Sequence, residues 1–468
     1  MRGLMRDGLE SLLKPSSVAL IGASANPSKL SNVALRNLKR GRFKVYPINP
    51  KESKILGMKC YPSINEVPGR VDLAIVSLPA VAASEALSEC IEKQVNVVIV
   101  TASGFRESGS EGAARERELE RLIQNGKTRV LGPNTMGVYS PVSGLDTLFI
   151  SRERSPRPPL GNIAMLSQSG AVSISFLEKV AASGLGISHC IGLGNKMDIS
   201  ENELIRLLAA DSSTNCIALY LESFSDGREF FEIARDITPH KPMVVLKSGR
   251  TESGAAAASS HTGAMAASSD VLVERALHQA GVLRAYDEEE LVDIAKALSF
   301  QDHINGDRIC VVASAGGYGV IASDLVESKE HGAGLRMASL SGTTQNRLRK
   351  VMPDFSSPRN PVDLTASVTD DMYDSVLEIL QGDSGIDGVM MSLELQPPNV
   401  TRQLLRVAER RSLSDGAKIV ISAFGGRRTD DIIRDFSEKR IPAYPTIWRA
   451  IRALGALAQR GLHLKTRK

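Results

Sequence analysis

Cysteine is scarce and scattered. The chain of 468 residues holds five (Cys60, Cys90, Cys190, Cys216 and Cys310), an odd number with no C-x-x-C pair among them. That pattern argues against a disulfide framework and against a zinc site. Aromatic residues are rare, at 4%, and no basic stretch is interleaved with them. With 57 Lys+Arg against 53 Asp+Glu, the formal charge of +4 is close to neutral for this length. Nothing therefore speaks for a nucleic-acid-binding surface. No apolar run approaches the ~20 residues of a membrane span. The start, Met1 to Leu13, is charged and lacks the long apolar stretch of a secretory signal. These absences lead to the expectation of a soluble, cytoplasmic protein with neither a nucleic-acid nor a membrane partner.

What is present is apolar content enough for real cores, at 42%. Short runs rich in Val and Ile recur: Val18–Ile21, Val45–Ile48, Leu73–Val76, Val97–Val100, Ile163–Leu166, Ile217–Leu221, Met243–Leu246, Ile309–Val312, Val389–Met391 and Ile419–Ser422. They are too short for helices and read as buried parallel strands. Stretches of helical periodicity lie between them, such as Ala83–Lys93, Ala113–Gln124 and Glu288–Leu298. Strand and helix in alternation predict an α/β protein with parallel sheets. The polar, proline-rich segment Ser151–Pro159 and the polar break Phe300–Asp307 suggest three doubly wound domains, 1–150, 151–300 and 301–468.

The first strand runs into Gly22, Ala23 and Ser24, where a glycine lets the backbone approach a ligand at the sheet's carboxyl edge. A dinucleotide fold would show G-x-G-x-x-G there and an acid at the end of the second strand. Here only one glycine follows, and the second strand ends in Asn49, Pro50 and Lys51. Nicotinamide binding is disfavoured, and Lys51 suits a phosphate. Further loops point to the same edge: Ser77 to Pro79, Ser103 and Gly104, and Gly132-Pro133-Asn134. Their convergence predicts a nucleotide-like ligand.

In the second strand–helix series, Ile163–Leu166 leads into Ser167-Gln168-Ser169-Gly170-Ala171 and then a helix. Ser169 or its neighbour is a plausible N-cap, and the N–H groups opening a helix form an anion site. After Met243–Leu246 comes Lys247-Ser248-Gly249-Arg250, then a run of small residues from Thr251 to Ala264 that contains His261. The run reads as a loop whose small side chains let it move. Its histidine suits a general base, a nucleophile or a ligand. The absence of Cys, Asp or Glu at ligand spacing disfavours a metal. Glu222 ends the strand Ile217–Leu221 and is placed to face the same crevice as a partner for the histidine.

These residues resemble a known family. Ser260-His261-Thr262-Gly263-Ala264 is the most specific element. Ser167–Ala171, Gly194-Asn195-Lys196-Met197-Asp198, Gly132-Pro133-Asn134, Ala315-Gly316-Gly317-Tyr318-Gly319 and Asn360-Pro361-Val362-Asp363-Leu364 support it in order along nearly the whole chain. The chain resembles the α subunit of the NDP-forming acyl-CoA synthetases, the ADP-forming acetate–CoA ligases, which are relatives of succinyl-CoA synthetase. The resemblance implies a Rossmann-like CoA-binding domain followed by two flavodoxin-like ligase domains. It implies that His261 is phosphorylated, that Glu222 steadies it, and that Ser169, Gly170 and Ala171 hold the phosphate. CoA contacts would come from Gly22, Ala23, Ser24, Asn49, Lys51, Ser77, Pro79, Ser103 and Gly104. Substrates would be coenzyme A, phosphate, and a small carboxylic acid with its acyl-CoA. ADP or ATP with Mg2+ would sit on a separate ATP-grasp β subunit, in an α2β2 assembly. Thr135-Met136 stands where the family often has Cys-Leu, and Met197 where Ala is common. Both flank the acyl region and leave the preferred acid open. Two rivals are a CoA-binding regulatory or acyltransferase-associated module without turnover, and a nicotinamide oxidoreductase.

Overall fold

The computed structural model describes residues 8–124, 126–262, 269–328, 333–414 and 418–467, apart from the side chains of 259–262 and 413–414. By packing, the chain forms two compact units. One comprises residues 1–181 with Gly186–Glu288, the other Ala182–Leu185 with Glu289–Lys468.

The first unit carries two large sheets and a small antiparallel hairpin, Lys54–Ile55 with Met58–Lys59. In the first, β1 (Ser17–Ile21), β2 (Lys44–Ile48), β3 (Leu73–Val76), β4 (Val97–Val100) and β5 (Arg129–Leu131) run in the order β2-β1-β3-β4-β5, all parallel. β1, β3, β4 and β5 are buried along their whole length, which is why β3 and β4 are unbroken apolar runs rather than alternations, with Ser17 and Arg129 the polar first residues of β1 and β5. The strand order reverses between β1 and β3, so a crevice opens past the carboxyl ends of these two strands.

The second sheet uses β6 (Val138–Ser140), β7 (Leu145–Asp146), β8 (Leu160–Ser167), β9 (Ile187–Gly192), β10 (Cys216–Leu221), β11 (Met243–Lys247) and β12 (Leu283–Ala285) in the order β12-β11-β10-β8-β9-β6-β7. Its edge departs from the wholly parallel sheet predicted, because β6 pairs antiparallel with β9 and β7 antiparallel with β6. This short meander is too brief to show as a hydrophobic run. The helix α1 (Gly170–Ala182) follows β8 directly.

One sequence expectation is corrected here. The small-residue run after β11 is not a loop: Glu252–Thr262 forms a helix, α2. Four successive alanines, Ala255 to Ala258, are the best helix formers and outweigh the single Gly254. Thr251 starts the helix, its Oγ1 accepting from Gly254 N–H at 3.1 Å, and Glu252 complements the dipole in the first turn. Gly263 and Ala264 lie outside the described residues.

The last unit is built on β13 (Arg308–Ala313), β14 (Arg336–Met337), β15 (Val362–Asp363), β16 (Gly388–Glu394), β17 (Ile419–Phe424) and β18 (Ala443–Tyr444). Their order is β14-β13-β16-β17-β18, with β15 paired to β13, all parallel. Helices α3 (Glu288–Phe300) and α4 (Ile447–Thr466) are joined by buried charge. Arg449 donates to both carboxylate oxygens of Asp293 at 2.6 and 2.8 Å, and Tyr444 Oη donates to Asp293 O at 2.8 Å. Lys296 Nζ donates to Ala443 O at 2.6 Å and lies 4.2 Å from the centre of the Tyr444 ring.

Burial lowers the Lys296 ammonium to about 8; Asp293 opposes the shift and Arg449 adds to it. An unfolded lysine titrates near ~10.4. Between these values the unfolded chain binds more protons, so this group makes stability rise with pH, by up to about 3 kcal/mol. In Lys296→Met the rise in unfolding midpoint from pH 8 to pH 10 should flatten. Equal slopes in the two proteins would remove this lysine as the cause.

Candidate functional site

Four loops share the carboxyl edge of the first sheet, and they touch one another. Gly22, after β1, has φ +86°. A Cβ there would come 2.5 Å from Ser77 O, so only glycine lets the β1 and β3 loops meet. Asn49, after β2, latches onto the same turn: its Nδ2 donates to Ala23 O at 2.7 Å, and its Oδ1 accepts from Lys51 N–H at 2.8 Å. Ser24 closes the turn, with its Oγ accepting from Asn26 N–H and its carbonyl from Asn32 Nδ2. Ser77 N–H donates to Ile21 O at 2.9 Å, and Pro79 precedes a short 3-10 turn, Ala80–Ala82. Gly104, after β4, has φ +106° and packs beside Ala80, while Ser103 is exposed. Lys51 is also exposed at the rim. All nine residues predicted to contact a ligand therefore lie in the loops at the carboxyl edge of the first sheet.

The second sheet brings together another group. Ser169 caps α1: its Oγ accepts from Val172 N–H at 3.4 Å, and its carbonyl accepts from Ser167 Oγ and Ser173 Oγ. Gly170 and Ala171 open the helix, with Met136 against Gly170. Glu222, just past β10, is 6% exposed. Gln168 ties these two places together. Its Oε1 accepts from Glu222 N–H at 2.7 Å and Ser223 N–H at 3.1 Å, and its Nε2 donates to Ser223 Oγ at 3.1 Å. The Glu222 carboxylate accepts from Tyr220 Oη at 3.3 Å.

Two buried ammonium groups flank Glu222. Lys247 Nζ donates to Glu222 O at 2.7 Å. Lys196 Nζ donates to Ser223 O at 2.7 Å and lies 3.0 Å from Glu201 Oε2. Burial lowers both lysines; Glu201 pulls Lys196 back up, and Asp270 and Glu222 do the same for Lys247 against the repulsion of Arg284. The N–H groups that open α1 suit an anion, while the two ammonium groups hold the backbone at Glu222 and Ser223. Among the described residues no group of His, Cys, Asp and Glu is arranged to hold a metal.

His261 is in the last turn of α2, and its side chain lies outside the described residues. The structure thus brings Ser169, Gly170, Ala171 and Glu222 into one site and gives the histidine's place on the backbone. Sequence reading passed over Gln168, Lys196 and Lys247 as functional residues, although each stands inside a motif it had quoted. The one available signal was position: all three follow or end a strand of the second sheet at its carboxyl edge.

Comparison with known proteins places all three segments of the chain in described families. Residues 16–141 match the family described as CoA binding domain, 160–298 the Succinyl-CoA ligase like flavodoxin domain, and 309–461 the Ligase-CoA domain. The α subunit of acetate–CoA ligase [ADP-forming] I from Pyrococcus furiosus is 36% identical over 457 residues, covering 96% of this chain and 97% of that one. Acetate–CoA ligase [ADP-forming] I from Archaeoglobus fulgidus is 35% identical over 451 residues; the match takes in 96% of this chain but 63% of that longer one. Among solved structures, the dinucleotide forming acetyl-coenzyme A synthetase 1 of Ca. Korarchaeum cryptofilum, in complex with phosphate and ADP, superimposes with a TM-score of 0.89. It is 32% identical, covering 98% of this chain and 97% of that one. The chain belongs to the α-subunit family of the ADP-forming acetate–CoA ligases.

Proposed function

We propose that the chain is the α subunit of an ADP-forming acyl-CoA synthetase of the acetate type. It interconverts acyl-CoA, phosphate and ADP with the acid, CoA and ATP, and works with an ATP-grasp β subunit in an α2β2 assembly. The division into a CoA-binding domain at 1–150 and ligase domains at 151–300 and 301–468 belongs to the same reading. Its main support is the linkage of the Ser169 helix start to Glu222 through Gln168, between two buried lysines.

CoA lies along the crevice of Gly22, Ala23, Ser24, Asn49, Lys51, Ser77, Pro79, Ser103 and Gly104. Phosphate, held by the N–H groups of Ser169, Gly170 and Ala171, attacks the thioester carbonyl; the C–S bond breaks, giving acyl phosphate and the CoA thiol. The His261 imidazole then attacks phosphorus, the P–O bond to the acyl group breaks, and the acid leaves. Glu222 stabilises the cationic ring during this transfer. Finally the phosphoryl group passes from His261 to ADP on the partner, where Mg2+ neutralises the nucleotide's charge.

The first half of the sequence needs no partner, which makes it testable on the chain alone. Acetyl-CoA and labelled phosphate should leave acid-labile, alkali-stable label on the protein. If neither this mixture nor labelled ATP with Mg2+ and an ATP-grasp partner leaves label, the chain is a CoA-binding module without turnover.

A further inference from the structure

Between the CoA-edge loop and the Glu222 site lies a buried polar link that the chemistry above does not use. Asn195 follows β9 and is 4% exposed. Both hydrogens of its amide are committed: Nδ2 donates to Glu107 Oε2 at 2.7 Å and to Glu116 Oε2 at 2.8 Å. Only the nitrogen end can face two carboxylates, so chemistry fixes the orientation of the amide. Its Oδ1 accepts from Asn134 Nδ2 at 3.4 Å.

Glu107 carries the link into the loop after β4. Its Oε1 accepts from Gly104 N–H at 2.6 Å and Phe105 N–H at 3.1 Å. Burial alone would raise this carboxyl, but the bonds from Asn195, Gly104 and Phe105 prevail and hold it below the usual range. It is therefore a charged anchor at neutral pH, gripping the loop by its backbone. Glu107 also lies in the turn Arg106–Ser108, against which α2, the helix bearing His261, packs.

On its other side Asn195 is joined to Lys196, whose φ of +56° is a left-handed conformation uncommon for a side-chain-bearing residue. Gly194 before it has φ +59°, and a Cβ there would lie 2.2 Å from Pro133 O. The loop is locked against Gly132-Pro133-Asn134, so the placement of Asn195 dictates that of Lys196. The Lys196 ammonium holds Ser223 O, and Gln168 holds the N–H groups of both Glu222 and Ser223. A run of buried and part-buried hydrogen bonds, joined by the chain itself between Asn195 and Lys196, thus leads from Gly104 through Glu107, Asn195, Lys196 and Ser223 to Glu222 and the start of α1.

We infer that Asn195 is a positioning residue that makes the Glu222 site respond to coenzyme A seated on the Gly104 loop. The inference rests on the proposed synthetase reading. Asn195 is not what holds the two sheets together, since Arg129 separately binds Asp198 and Glu203. Removing Asn195 should therefore leave a folded chain.

The test is hydrogen exchange on the full chain with coenzyme A as the probe, beside acetyl-CoA-driven labelling. In the wild type, CoA should slow exchange at 101–109 and also at 193–197 and 221–225. In Asn195→Ala, protection should persist at 101–109 and be lost at the other two segments. Labelling from acetyl-CoA and phosphate should slow by about tenfold or more at saturation, as expected of a misplaced reacting group. KM for acetyl-CoA should stay within about threefold, because the CoA contacts are intact. ATP-driven labelling with the partner should also change little, which a general loss of structure would not allow. Glu107→Gln should reproduce the pattern, and the double variant should add nothing further. Protection confined to 101–109 in the wild type overturns the inference alone. So does an Asn195→Ala protein that labels at the wild-type rate, or one whose KM moves instead of its rate. If CoA protects no segment and no label forms, the synthetase reading falls and this inference falls with it.

Discussion

Replacing His261 with alanine should reduce acyl-CoA-dependent ATP formation, measured with the partner subunit, by about 10⁴-fold, to the level without enzyme. On the proposed route the phosphoryl group then has nowhere to rest between acyl phosphate and ADP. The wild-type label should vanish, while CoA binding is retained. Acyl phosphate should still form slowly and be trapped with hydroxylamine. Glu222→Gln keeps the backbone bonds to Gln168 and removes only the charge proposed to steady the imidazolium, so a smaller loss, about 10²-fold, is expected. Label that persists in His261→Ala would place the carrier elsewhere and overturn its assignment.

The second large effect concerns stability. Arg129, at the start of β5, is 5% exposed. Its Nε and Nη2 meet both oxygens of Asp198 at 2.8 to 3.1 Å, and its Nη1 and Nη2 meet Glu203 at 3.0 Å. Asp198 also accepts from Val130 N–H at 2.8 Å, and Glu203 closes the capping box of the helix Glu201–Ala210. One guanidinium thus satisfies two carboxylates that would otherwise repel each other in a poorly hydrated place. Arg129→Ala should destabilise the first unit by about 3 kcal/mol, because it leaves those carboxylates uncompensated. Arg129→Lys should recover only part of this, since an ammonium cannot serve both in a forked geometry. Unfolding of each unit followed by urea with a local probe would show it. An unchanged midpoint for the first unit would make this a surface pair of no energetic weight.

How much of this was legible in the sequence depended on range. β3 and β4 were read to the residue because buried parallel strands are unbroken apolar runs, and Leu73–Val76 and Val97–Val100 are bounded by polar residues. The proposed site residues Ser169 and Glu222 could be singled out because they stand two residues and one residue past the end of a strand, where an α/β sheet gathers its ligand-facing groups. By contrast, α2 was misread because small residues suggest a loop when counted for size, although alanine favours a helix when judged by backbone propensity. Nothing local marked Glu107, Glu116 and Asn195 as partners, since their meeting depends on the packing of separate elements. The same holds for Arg129 with Asp198, which are far apart along the chain and share no periodic pattern.

The place of α3 has a consequence for how such a chain can be divided. Leu291, Ile294 and Leu298 of this helix are no more than 3% exposed, and its Asp293 is the carboxylate that Arg449 holds. A break after Phe300 would leave an apolar helix face on one fragment and, on the other, a half-buried arginine cut off from Asp293 and Glu289, and the exposed apolar face invites aggregation. A break near Tyr286, 44% exposed, would spare both. A cut in this chain should therefore be better tolerated ahead of the helix than behind it.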